Sequence, residues 1–242
     1  MKKIKYLLTI FLVIMMMSCS ICNQTELSYD SLYKIYKTAQ KKMQEGNFIS
    51  AIKYLESIKN IDLFRQHTQQ IQLDLIYAYY KNMDLESSEN AINHFMNVYP
   101  NHPNVDYLLY MKGLIGMSMD NPATMKFFHF DNSSRDPEYA YNAFSNFVQL
   151  IKYYPKSIYV NDAYNRLIFL KNRLAKYELS VALFYHKHRA YVSVINRVKK
   201  MMIYYPDTKA THNALLLMAE AYRKLNINDE ADKIFKIIDL NH

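Results

Sequence analysis

The 242-residue chain is long enough for one large domain or two small ones, half of it is apolar, and it holds three glycines, at 46, 113 and 116. So few glycines exclude a Gly-rich phosphate loop and leave little turn chemistry for a β-rich fold, so helix is the expected secondary structure. The formal charge of +8 falls to +5 once Lys2, Lys3 and Lys5 are set aside as part of a leader, a balance too weak to argue for nucleic acid as a partner.

Lys2, Lys3 and Lys5 precede an apolar run from Tyr6 to Met17. The run is too short to span a bilayer as a stable helix and has the form of a signal-peptide core, which places a leader over residues 1–18. Ser18-Cys19 follows at once, and a small residue directly before Cys resembles the lipobox of bacterial lipoproteins. That resemblance implies cleavage before Cys19, S-diacylglycerol on its sulfur and an N-palmitoyl group on the new amine. Met16 and Met17 depart from the Leu and small residue usual there. Cys22 is the poorer candidate because Ile21 is bulky for a cleavage position, and an ordinary secretory signal cut elsewhere is the alternative. With Cys19 lipidated, Cys22 is the only thiol left and no intrachain disulfide can form. Residues 19–27 read as a lipidated tether. Ser20, standing where Asp would signal inner-membrane retention in lipoproteins, implies sorting to the outer membrane.

Two helices open the folded part. Leu32, Ile35, Tyr36, Ala39 and Met43 form one stripe, Gly46-Asn47 breaks it, and Phe48, Ala51, Ile52 and Leu55 start another. Ala39, Gly46, Phe48 and Ala51 resemble a tetratricopeptide (TPR) helix-turn-helix, in which a small residue lets two helices approach and Gly takes the tight turn. The next pair is expected over Phe64–Lys81 and Leu85–Tyr99, and a fifth helix from Pro103 to about Met119. Residues Asp120 to Asp136 form the longest irregular segment. Its Phe127, Phe128 and Phe130 are either tucked beneath the loop or displayed to a partner. A helix from Pro137 to Tyr154 follows.

The stretch Ser157–His188 runs without Gly or Pro, and Ala163, Leu167, Leu170, Leu174, Tyr177, Val181 and Phe184 step along it by four and three. That spacing draws a narrow apolar seam on one long helix. Asn165, Arg166, Lys171, Asn172, Lys176 and Glu178 read as its solvated side. Helices over Ala190–Tyr205, Thr208–Leu225 and Asp229–Leu240 complete the chain. Tyr154-Pro155-Lys156-Ser157 and Tyr205-Pro206-Asp207-Thr208 share one design: Pro stops a helix and a hydroxyl two residues on caps the next. The expected fold is all-α, an α-solenoid of about five TPR-like helix pairs with the long helix joining pairs three and four.

Converging chemistry is missing from the sequence. His186 and His188 fall on different faces of a helix, so a solvated helix end accounts for them better than a metal pair. No Cys pair for zinc, P-loop or Gly-x-Ser-x-Gly occurs, and the carboxylates form no paired-acid pattern. No catalytic residue, metal or cofactor is expected. Arg166, Arg173, Arg189, Arg197, Lys199 and Lys200 crowd the C-terminal half. They read either as solvated faces or as an interface for an acidic patch on a protein, where Arg favours bidentate pairing.

Several stretches resemble one family closely. They are Ile71-Gln-Leu-Asp-Leu-Ile-Tyr-Ala-Tyr-Tyr-Lys-Asn82, Arg135-Asp-Pro137, Arg166-Leu-Ile-Phe-Leu-Lys-Asn-Arg-Leu-Ala-Lys-Tyr-Glu178, Val194-Ile-Asn-Arg-Val198 and Tyr205-Pro-Asp-Thr208. All look like the BamD family of outer-membrane assembly lipoproteins. The resemblance implies a non-enzymatic, periplasm-facing lipoprotein of the β-barrel assembly machine. It implies residues 157–242 bound to the POTRA domains of the barrel subunit BamA, with other lipoprotein subunits alongside. It implies residues 28–156 receiving unfolded outer-membrane proteins. By that likeness Arg197, with Arg189 near it, is the expected BamA contact, and Tyr77 and Tyr80 the wall of a substrate groove; core packing is the alternative for both tyrosines. Asn60-Ile61-Asp62-Leu63 stands where the family has a Tyr-Pro. Two other readings are another periplasmic TPR scaffold, in envelope or cell-division coordination, and a peptidoglycan lytic enzyme with a helical superhelix, for whose catalytic domain the five pairs leave no room.

Overall fold

A computed structural model describes residues 28–120 and 135–240. Ten α-helices and one 3-10 turn run through them, with no strand among the described residues. The helices are α1 (Tyr29–Gln44), α2 (Phe48–Ile58), α3 (Thr68–Lys81), α4 (Leu85–Val98), α5 (Val105–Asp120), α6 (Glu138–Tyr153), α7 (Val160–Lys187), α8 (Tyr191–Tyr204), α9 (Lys209–Lys224) and α10 (Asn228–Leu240). They form five pairs, and the 28-residue α7 joins the third to the fourth. Two compact units result, with the division between Asp74 and Leu75 inside α3.

Two kinds of turn punctuate the pairs. Within four of the pairs the first helix ends on a left-handed residue: Gly46 at φ 74°, Met83 at 62°, Arg189 at 58° and Asn226 at 61°. At each, two N–H groups reach back over the last turn, as Gly46 does to the Met43 carbonyl and Asn47 to that of Lys42. This satisfies carbonyls that a helix end leaves open. Only the first of the four is glycine. Met83 and Arg189 hold a conformation that costs an L-residue about 1–2 kcal/mol, so a search for turn glycines finds one pair where four share the geometry.

Between pairs the turn is Tyr-Pro. Tyr99, Tyr154 and Tyr205 take φ −128°, −129° and −136°, and each N–H donates at 2.8 Å to the carbonyl four residues back. Proline bars the preceding residue from the α region, so the helix stops there with its last N–H still bonded. Thr208 then caps α9 as expected, its Oγ1 accepting from the Thr211 N–H at 3.2 Å. Ser157 does not cap α7: it accepts from the Tyr159 N–H at 3.3 Å, and Tyr159 is itself the cap position, without a side-chain bond. Between α2 and α3, where Tyr-Pro is missing, Asp62–His67 form the 3-10 turn. The single helix expected over Phe64–Lys81 is therefore corrected. Phe64, at φ −111° and ψ 16°, is fully buried, and the α-helix starts only at Thr68.

Helix α7 packs against α6, α8 and α9, all within the second unit. Its seam is followed at Ala163, Leu170 and Leu174, which are buried, and lost at Phe184, which is 58% exposed. A seven-residue repeat lags a straight helix by about 20° per heptad, and three neighbours bury a wider stripe than one. Glu178, read from sequence as solvated, is 1% exposed. It lies on the row Leu170, Leu174, Glu178, Ala182, spaced by four, whose other members are all buried. Arg173, read from sequence as part of a solvated face or of a partner interface, is instead buried with Asp120. Its Nε and Nη2 donate to the two carboxylate oxygens, each at 3.2 Å, and Nη2 also to the Arg135 carbonyl at 3.3 Å.

Helices α5 and α6 approach closely because Gly113 faces the ring of buried Phe147, where a Cβ would lie 2.3 Å from Cε1. Gly113→Ala is expected to destabilise the protein by about 1–3 kcal/mol, overpacking outweighing the gain of about 1 kcal/mol in helix propensity. The denaturation midpoint should fall; an unchanged or higher midpoint would mean that Phe147 gives way freely. The expectations for Cys19, Phe127, Phe128 and Phe130 lie outside the described residues.

Candidate partner-binding site

A polar cluster in the second unit is built on α7 and α8. Glu178 Oε2 accepts from Arg197 Nη1 at 2.7 Å, and Oε1 accepts from Lys200 Nζ at 3.3 Å and from the Tyr141 hydroxyl at 3.1 Å. The Tyr205 hydroxyl donates to that of Tyr141 at 3.4 Å. Burial, the Tyr205 hydroxyl and the Glu178 charge all raise the Tyr141 pKa, so it stays a neutral donor to the carboxylate. The carboxylate is inside while both cations reach outward, with 26% of the Arg197 side chain and 48% of the Lys200 side chain exposed. Arg197 and Lys200, three apart on α8, line a cleft of about 370 Å³ with Tyr185, Ser193 and Asn196. One anion against two cations leaves the mouth of the cleft positive, an arrangement that attracts a carboxylate and excludes a cation.

Arg189 is exposed in the left-handed turn between α7 and α8. Tyr77 is 40% exposed on α3 and Tyr80 half-buried. The first unit carries an aromatic cluster that sequence reasoning missed. Phe64 and His67 lie with ring centroids 4.4 Å apart, Tyr29 packs on Phe64 at 5.4 Å, and Tyr33 lies 6.2 Å from His67. Tyr29 and Tyr33 are more than a third exposed. The signal available was weak, because the cluster joins two segments about thirty residues apart through a turn that departs from the repeat.

Beneath it Tyr36 donates to Asp74 Oδ2 at 2.9 Å, and Gln70 to Oδ1 at 2.9 Å. Burial raises the pKa of Asp74 despite both hydrogen bonds. The folded state therefore keeps the Asp74 proton to higher pH than the unfolded chain, so this group's contribution falls as pH rises through the window above about 4. Asp74→Asn should remove that fall. Melting curves of the two proteins across that window are expected to diverge, in the variant's favour as pH rises, and parallel curves would contradict the assignment.

Among the described residues no group of three or more His, Cys, Asp or Glu is placed to hold a metal ion, and no helix is long and apolar enough to cross a membrane. His186 lies 3.2 Å from Glu220 while His188 bonds its own helix at the Phe184 carbonyl, so the two histidines share no ligand.

Successive helix-turn-helix pairs define a TPR-like helical repeat fold. Residues 29–237 match the family model YfiO, described as an outer membrane lipoprotein. The chain is 39% identical over 208 residues to the Outer membrane protein assembly factor BamD of Vibrio cholerae, covering 86% of each. It is 41% identical over 210 residues to the BamD of Buchnera aphidicola, covering 86% of this chain and 85% of that one. To the Haemophilus influenzae BamD it is 36% identical over 241 residues, covering 100% and 92%. The chain belongs to this outer-membrane lipoprotein family, whose matched relatives are named as assembly factors.

Proposed function

We propose that this protein is a non-enzymatic subunit of the outer-membrane β-barrel assembly machine, anchored by lipid on Cys19 and facing the periplasm. The match of residues 29–237 to the family, with relatives named as outer membrane protein assembly factors, carries this reading. Residues 157–242 scaffold the POTRA domains of BamA, with Arg197 as the charged contact and Arg189 at its edge. The support is the net positive cleft on α8, which suits an acidic protein surface. Residues 28–156 receive unfolded outer-membrane proteins, and exposed Tyr77 with half-buried Tyr80 offers amphipathic contact to extended chains. Other lipoprotein subunits join the same complex. Affinity purification of the membrane-anchored protein, with identification of its partners, tests the reading. Recovery of the barrel subunit is expected. Recovery of envelope or cell-division proteins without it would favour a different periplasmic scaffold.

A further inference from the structure

The Arg197–Lys200 cleft has an unusual foundation. A surface cation pair repels itself and samples many rotamers, which weakens any single contact it makes. Here both cations converge on one buried carboxylate. Glu178 is fixed in turn by the Tyr141 hydroxyl from α6, and Tyr141 is met by Tyr205 at the end of α8. The Tyr185 hydroxyl bears on Arg197 as well. The guanidinium is therefore held from below, and Ser193 and Asn196 add neutral donors on the same helix.

We propose that Glu178 is a positioning residue: by holding Arg197 and Lys200 on one buried anion, it orients them to receive a single carboxylate from a protein partner. Two cations over one anion leave a single net positive charge, which matches one further carboxylate. The surroundings favour a protein side chain over a free anion. Val192 is 60% exposed and Ile203 72% exposed on α8, and residues 192, 196, 199, 200 and 203 fall on one arc of a 3.6-residue helix. Two exposed apolar side chains thus flank the polar positions of that arc, a mixture of apolar and polar groups that suits a protein interface. This inference rests on the reading above, in which the partner is the POTRA region of the barrel subunit.

Glu178→Gln separates positioning from plain charge. The substitution keeps the side-chain shape and makes the cleft more positive by one charge, so simple Coulomb attraction predicts tighter binding to an acidic partner. Positioning predicts the opposite. Titration of the full-length lipidated protein in detergent with the purified POTRA domains should give an affinity about tenfold weaker for Glu178→Gln and about threefold weaker for Tyr141→Phe, which removes only the hydroxyl holding Glu178. In an Arg197→Met/Lys200→Met background, Glu178→Gln should change the affinity by less than about twofold, because Glu178 acts through those two cations. A general folding lesion would weaken both backgrounds alike. If Glu178→Gln fails to fold, Tyr141→Phe alone carries the test. Equal or tighter binding by the folded variants overturns the inference and leaves the partner assignment standing. No binding by the wild type overturns both.

Discussion

Arg173→Met is expected to lower the stability of the protein by about 3–5 kcal/mol, because it leaves Asp120 charged and buried without its partner. Asp120 and Arg173 are 3% and 5% exposed and joined by two bonds at 3.2 Å. The same guanidinium reaches the Arg135 carbonyl, so it ties the C-terminal end of α5 to the backbone that leads into α6. Moving an ion pair out of water costs nearly as much as the pair returns, whereas stranding one member loses the return and keeps the cost. The double variant Asp120→Leu with Arg173→Met should therefore be more stable than Arg173→Met alone. Guanidinium unfolding of the three proteins decides it. A loss below about 1 kcal/mol for Arg173→Met would show that water reaches Asp120 and that the pair is not buried in solution.

Arg197→Glu is expected to abolish binding to the POTRA region, by about a hundredfold or more, since truncation of a charge pair costs about 2–5 kcal/mol and reversal costs more. It has a second consequence that follows from Glu178. The introduced carboxylate faces a buried one, so the fold should also lose stability and the unfolding midpoint should drop. The two effects separate in Arg197→Gln combined with Glu178→Gln, a neutral pair of similar shape. That variant should unfold close to the wild type and still bind poorly.

The repeats were legible because their causes are local. Pro100, Pro155 and Pro206 each fix the residue before them, and the structure follows at all three tyrosines. The seam on α7 gave a long helix and its length within a few residues. Buried charge was not legible in the same way. Glu178 and Arg173 sit among polar residues in a pattern stepped by four and three, and only the row of four through Leu170, Leu174 and Ala182 marks Glu178 as inward. That row becomes visible once α6, α8 and α9 surround the helix, which is tertiary information. The 3-10 turn at Asp62–His67 was hidden for the opposite reason: the Tyr-Pro marker is absent, and Phe64 reads as an ordinary apolar position of a helix. Arg197 was reached from the family likeness, while its anchor Glu178 came from geometry alone.

In the proposed function the C-terminal pairs bind the periplasmic domains of the barrel subunit through the cleft on α8. Isothermal titration of the mature lipidated protein in detergent with the purified POTRA domains measures this directly, with wild type, Arg197→Glu and the Arg197→Gln/Glu178→Gln pair side by side. Saturable binding by the wild type and loss of affinity in both variants, including the one that folds normally, is the predicted result. Absence of binding by the wild type, or an affinity for Arg197→Glu equal to it, would rule out this cleft as the binding site.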